Sequence, residues 1–200
     1  MGPPRDTVVI GCSVGGTEAL PRLLLHLPAD LPAAVLIVQH LSATSTSYLV
    51  DILRRSSQLA VQWAEHGTRI EHGRVLVAPP AVHMVLQGDH VQLSQSAPEN
   101  YSRPSIDKLF RSAAANRGSR VIGVLLTGML HDGVAGLGAI QEAGGVAIVQ
   151  DPTDAAYPQL PAAAVRAIRP DRVLPLETIG GAIIDLVGGP APPCNSELGA

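Results

Sequence analysis

TVVIGCSVGGTEAL, residues 7–20, passes from an apolar run through a glycine turn into the start of a helix. Val8, Val9 and Ile10 are consecutive and β-branched, the pattern of a strand buried in a covered parallel sheet. Gly11, Gly15 and Gly16 allow a tight turn and close approach of backbones. Thr17 and Glu18 then lead into an apolar helical pattern. Ser13 therefore stands at the carboxyl end of a strand, beside the N–H groups that open a helix. In open α/β sheets sites form along that edge, and free N–H groups suit an oxygen that carries negative charge. The turn reads G-x-S-x-G-G. It is neither the G-x-G-x-x-G of a dinucleotide fingerprint nor a P-loop, which needs G-K-[ST]. It shares G-x-S-x-G with nucleophile elbows. On these residues alone Ser13 is a nucleophile, a helix-capping serine or part of an anion site.

Outward from this stretch, strand and helix patterns alternate. Apolar runs predict strands over about 7–11, 34–38, 59–64, 119–126, 146–149 and 172–175, the last at an edge. Helices are expected over about 17–27, with Pro21 in the first turn, and over 45–56, with Ser42, Thr44 and Ser45 as caps. A third opens at Arg103-Pro104 and runs to about Asn116. Further helices cover about 134–143, 161–168 and 179–186. Residues 65–96 are different: RVLVAPP, HMVLQGDH and VQLSQ read as short strands, with Gly88-Asp89 as a hairpin turn. The expected fold is a three-layer α/β/α with a mostly parallel sheet, right-handed crossovers and an antiparallel hairpin extension that makes the sheet mixed at one side. Residues 1–6 are expected to be a disordered lead, 7–187 one catalytic domain and 188–200 a flexible tail.

The chain has 200 residues and is 46% hydrophobic but only 2% aromatic. A core of that size must be built mainly from Val, Ile, Leu and Ala. Scarcity of aromatics argues against base-stacking nucleic-acid surfaces. With 14 basic and 17 acidic residues there is no basic field for nucleic acid or a membrane surface. Cys12 and Cys194 make no disulfide scaffold and are expected to be free thiols in a reducing, cytoplasmic setting. The start, MGPPRD, is polar and does not read as a signal peptide. Apolar runs are too short to span a bilayer. A domain of this size can supply its own core, so a monomer is expected.

Three strand ends carry candidate chemistry: Ser13 after the first strand, His40 after the second, and Asp132 in TGMLHDG after the strand near Leu126. Parallel strands share one carboxyl edge, so the three loops can converge. Serine, histidine and carboxylate can act as nucleophile, general base and the group that orients the base. Imidazole has a pKa near 6.5, so a neutral fraction able to take the proton exists at neutral pH. Other roles stay open. His40 can be a satisfied polar residue at a strand end, Asp132 can cap the helix that follows, and His131 competes with His40. His26, His66, His72, His83 and His90 are expected at the surface. No pair has metal-ligand spacing such as H-E-x-x-H, and no metal or cofactor is expected.

Together, IGCSVGG, IVQHL, VLVAPP, RPSID, LLTGMLHDG and VQDPTDAAYPQLP resemble the catalytic domain of the bacterial chemotaxis protein-glutamate methylesterases, the CheB type. The resemblance covers roughly residues 7 to 187. It implies that Ser13, His40 and Asp132 form a catalytic triad. It further implies hydrolysis of glutamate methyl esters on chemoreceptor cytoplasmic domains, with release of methanol, and deamidation of receptor glutamines in many members. The backbone around Met129 is implied as a source of oxyanion N–H groups, with the turn at Val14 as a second. Arg103 is assigned either to an acidic receptor surface or to holding the loops of the site, and Tyr157 and Met129 to lining the cleft.

Two departures stand out. The family commonly has Ala-Ser-Thr where this chain has Cys12-Ser13-Val14, and a glycine where it has Leu130. Cys12 is expected to pack behind the turn. The classical members carry a receiver domain before the esterase. Only six residues precede the first strand here, which predicts a stand-alone form that is constitutive or regulated by a separate protein. Two other readings accompany the esterase: a hydrolase of the same fold acting on another ester or amide, and a receptor-binding module with weak turnover.

Overall fold

A computed structural model of the chain describes residues 4–41 and 48–187. The predicted caps Ser42, Thr44 and Ser45, the thiol of Cys194 and the predicted tail at 188–200 lie outside the described residues.

The strands that read as continuous apolar runs form the middle of the molecule. They are β1 (Thr7–Cys12), β2 (Ala34–Gln39), β7 (Val121–Leu125) and β8 (Val146–Gln150), and every residue in them is buried. β3 (Ala60–Trp63), β4 (Arg74–Val77) and β9 (Arg172–Leu174) complete a seven-stranded sheet in the order β3-β4-β2-β1-β7-β8-β9. All of its pairings are parallel. Here the structure departs from expectation, because among the described residues the main sheet has no mixed edge. RVLVAPP supplies β4, which slots between β3 and β2 rather than joining the meander. Among the described strands, β5 (His83–Gln87) and β6 (His90–Ser94) are the antiparallel pair. They pair through the predicted Gly88-Asp89 turn as a separate two-stranded sheet.

Alternation along each strand sends side chains to two cores. On one face Val8, Ile10, Val35 and Ile37 pack with α1 (Gly16–Leu25), α2 (Leu49–Ser56) and α6 (Leu176–Leu186). On the other, Val9, Leu36, Leu125 and Val149 pack with α3 (Ile106–Arg117), α4 (Val134–Glu142), α5 (Gln159–Ile168) and the hairpin. The result is the expected three-layer α/β/α arrangement. Among the described residues no helix is long and apolar enough to cross a membrane.

Three local expectations need correction. The lead predicted as disordered is tied down from Arg5: Arg5 bridges Val187, Asp6 pairs with Arg120, and the Asp6 carbonyl accepts from the Ala34 N–H. Pro21 sits in the second turn of α1, because the helix already begins at Gly16. α3 begins after Pro104, not at it. Ser105 is its N-cap, accepting from the Lys108 N–H through its side chain, the usual reason a serine precedes a helix.

β1 and the first turn of α3 approach so closely that a Cβ at Gly11 would overlap the Ile106 side chain. This contact places the start of α3 beside the carboxyl end of β1. Gly11→Ala should cost about 1–3 kcal/mol through overpacking, read as a lower urea midpoint with an unchanged slope.

Candidate active site

β1 and β2 lie side by side, and β7 flanks β1 on its other side. Their carboxyl ends bring three loops to one point at the middle of the sheet. The chain runs outward from β1 toward β2 and then returns to β7 on the opposite flank, which makes this a topological switch point where open α/β sheets form sites.

Ser13 follows β1 directly. Its N–H donates to the Thr127 carbonyl and its carbonyl accepts from the Gly16 N–H, while Gly15 takes the left-handed conformation (φ 84°) that turns the chain into α1. The three predicted residues meet. His40 Nδ1 lies 3.1 Å from Ser13 Oγ, and His40 Nε2 lies 2.8 Å from Asp132 Oδ2. A carboxylate only accepts, so Nε2 carries the hydrogen and Nδ1 presents its lone pair to the Ser13 hydroxyl. His131 is exposed, and no described side chain is hydrogen-bonded to it, so it does not replace His40.

Asp132 does not cap the helix that follows it; Gly133 holds that position without a side-chain bond. Instead Asp132 reaches across to the start of α3. Its Oδ2 accepts from the Ile106 N–H at 2.7 Å, and its Oδ1 accepts from the Asp107 N–H at 3.3 Å, Ser105 Oγ at 2.9 Å and Asn100 Nδ2 at 2.9 Å. Burial pushes this carboxyl up, but donors from His40, Asn100 and Ile106 overcome it and hold the group below its ordinary value. The positive end of the α3 dipole acts in the same direction.

Several supporting residues carried no signal of their own in the sequence. Gln39 Nε2 donates to the carbonyls of both Ser13 and His40, at 2.8 and 2.9 Å, and its Oε1 accepts from Cys12 Sγ. Thr127 Oγ1 donates to the Val14 carbonyl and accepts from the Tyr157 N–H, pinning the turn to the 151–158 loop. Ser105 and Asp107 fall within RPSID, but their roles depend on the distant loop of Asp132. Cys12 is fully buried, and burial pushes its thiol up, so it remains protonated behind the turn as expected.

The remaining predicted residues are Val14, Met129, Tyr157 and Arg103. Among the described residues no acceptor faces the N–H of Val14 or of Met129, whereas the Ser13 and Gly128 N–H groups are occupied by the carbonyls of Thr127 and Tyr157. Val14, Met129 and Tyr157 are each 42% exposed. Arg103 Nη1 donates to the carbonyls of Gln95 and Ser96, which is the loop-holding alternative. The same residue lines a cavity of about 310 Å³ together with His40, Leu41, Ala81 and Tyr101. Leu130, Pro158, Ala162, Ala163 and Arg166 line a separate open groove of about 520 Å³.

His83, expected at the surface, is fully buried. Its Nδ1 accepts from the Ser105 N–H and its Nε2 donates to the Ala97 carbonyl, both at 3.1 Å. That pairing requires a neutral ring. Burial holds the imidazole below its usual pKa, and Lys108 and Arg103 act the same way against the Ala97 carbonyl and Glu99. The unfolded chain thus takes up this proton first as the pH falls. The His83 contribution is present above about pH 6.5 and is lost as the pH drops through the folded value. Urea midpoints should decline as the pH falls below about 6.5, and His83→Gln should flatten that decline.

Leu130 adopts φ 64°, left-handed for a leucine, and is 62% exposed. Glycine meets no Cβ penalty there, and little packing is lost with the side chain. Leu130→Gly should raise stability by about 0.5–1 kcal/mol, read by urea denaturation.

Comparison with known proteins gives the family. Residues 8–183 match the family model described as CheB methylesterase. The chain is 43% identical over 181 residues to protein-glutamate methylesterase/protein-glutamine glutaminase 2 of Anaeromyxobacter dehalogenans, covering 90% of this chain and 53% of that protein. A Leptospira interrogans protein named provisionally for the same two activities is 39% identical over 182 residues and is covered over 94% of its length. The crystal structure of the Thermotoga maritima CheB methylesterase catalytic domain superposes with a TM-score of 0.86 at 33% identity, over 94% of this chain and 100% of that one. The chain spans about half the length of most of the curated relatives it matches. With the family model matched over nearly all of the described chain, this protein belongs to the CheB methylesterase family.

Proposed function

We propose that this chain is a serine hydrolase that cleaves glutamate methyl esters on the cytoplasmic domains of chemoreceptors, and that it deamidates receptor glutamines by the same route. The observation that carries the reading is the unbroken line from Ser13 Oγ through His40 to Asp132 Oδ2, at 3.1 and 2.8 Å. The names of its relatives supply the substrate class.

As Ser13 Oγ attacks the ester carbonyl carbon, its proton passes to His40 Nδ1. The imidazolium so formed sits against the ionised Asp132. The carbonyl oxygen, now an oxyanion, takes the N–H groups of Val14 and Met129, which no acceptor among the described residues occupies. When the tetrahedral species collapses, the C–O bond to methoxide breaks and Nδ1–H protonates the leaving group, giving methanol. Water then attacks the acyl-serine with His40 again as base, releasing glutamate and restoring the serine. With glutamine as substrate the leaving group is ammonia, and the steps are otherwise the same.

The same reading places the protein in the cytoplasm, where receptor cytoplasmic domains are found, and has it act as a monomer, since both faces of its sheet are already covered. It assigns Arg103 to the wall of the cavity beside His40 and Val14, Met129 and Tyr157 to the exposed surface that receives the substrate.

Methanol release from a methylated receptor cytoplasmic fragment tests this directly. Wild type should release methanol, and Ser13→Ala should reduce the rate by at least about 10³-fold. Cleavage of simple esters but not of the receptor fragment, still dependent on Ser13, would sink the substrate assignment. A folded wild type silent on both would sink the hydrolase itself.

A further inference from the structure

Two buried carboxylates stand at the start of α3, and a single side chain touches both. Asn100 Nδ2 lies 2.9 Å from Asp132 Oδ1 and 2.7 Å from Asp107 Oδ2. Both neighbours are acceptors, so only the amide nitrogen, with its two hydrogens, fits between them. Asp107 is fixed on its other side by the Gly136 N–H at 2.6 Å, so it is a stationary anchor. Burial pushes Asp107 up, and the adjacent Asp132 adds to this. Two like charges this close need donors between them.

Asn100 reaches this point from the loop that carries Tyr101 and Ser102, both of which line the cavity beside His40. It does so in a left-handed conformation, φ 50°, followed by Tyr101 at φ 62°. Asparagine tolerates this conformation better than most residues. Of the groups facing Asp132, His40 and Asp107 are titratable; Arg111 stands behind Asp107 at 3.9 Å and is paired with Glu99. Asn100 is the neutral donor between the two carboxylates.

We propose that Asn100 is a positioning residue of the triad: by tying Asp132 Oδ1 to the anchored Asp107, it keeps Oδ2 turned toward His40 and so fixes the ring tautomer that presents Nδ1 to Ser13. The inference rests on the hydrolase reading above. Asn100 touches no reacting atom and acts through Asp132 alone.

The test uses Asn100→Gly, which suits the backbone conformation and removes only the amide, beside Asn100→Asp, which keeps the shape and replaces the donor by an acceptor. Two readouts are taken on folded protein: kcat and KM on a simple methyl ester, and ring ¹⁵N shifts of His40 as a record of its tautomer. In Asn100→Gly, kcat should fall about tenfold with KM within about twofold, and the ¹⁵N shifts should move from one tautomer toward a mixture. Asn100→Asp should lose more activity, since it adds a third carboxylate. A kcat within twofold of wild type and a single unchanged tautomer in Asn100→Gly would overturn the proposal. So would a loss confined to KM. If wild type cleaves no ester, the hydrolase reading fails by itself, and the ¹⁵N shifts still decide whether Asn100 orients His40 through Asp132.

Discussion

The Asp132 carboxylate is buried at the first turn of α3, and much of the molecule meets there. Its two oxygens take the Ile106 and Asp107 N–H groups, the Ser105 hydroxyl, the Asn100 amide and the His40 ring. An ionised carboxylate without such partners would be costly in this position, and with them it is held ionised. Most of these donors come from the start of α3. Ser105 and Ile106 are present because α3 begins there, and α3 begins there because Gly11 lets it close on β1. His83 then fastens Ser105 from the hairpin sheet. The hairpin, which adds no strand to the main sheet, thus still braces the site.

The sheet supplies the second half of the arrangement. β1 and β2 run in parallel register, so Cys12 sits beside Gln39, and the residues that follow them, Ser13 and His40, leave the sheet at the same level. Gln39 then binds both of their carbonyls. β7 ends one step earlier on the other flank, and Thr127 closes the gap through the Ser13 N–H and the Val14 carbonyl. The backbones of Ser13 and His40 are therefore set side by side by strand pairing, and the Gln39 and Thr127 side chains fasten them there. This is why a serine–histidine separation of 3.1 Å survives on residues that are loops by strict assignment.

The parts legible in the sequence were those set by local pattern. Val8–Ile10, Val35–Val38 and Val146–Val149 read as buried strands because parallel strands covered on both faces leave no polar positions. Ser13, His40 and Asp132 could be placed at one edge for the same reason. What escaped depends on pairing distant in sequence. β4 is four residues long and reaches its place without a helical crossover, so RVLVAPP resembled a piece of the meander. His83 belongs to an alternating strand at the polar margin of the chain, and only the fold of residues 95–105 over it makes it a core residue. Asn100 gave no signal either, since an asparagine in a polar loop is ordinary until its two carboxylate partners are in place.

The surroundings of Ser13 are unequal on its two sides, and this bears on what can reach it. One side is a polar recess with Arg103 and Tyr101 beside His40. On the other lie the half-exposed side chains of Val14, Met129 and Tyr157, and Leu130 and Arg166 both line an open groove. Under the proposed function, a side chain carried on a receptor polypeptide places its carbonyl at Ser13 while its own neighbours cover the exposed Val14, Met129 and Tyr157. Binding energy drawn from that remote contact orients the reacting group. The left-handed backbone at Leu130 fits the same view: a leucine held there, away from the core, contributes its surface outward and nothing to the interior.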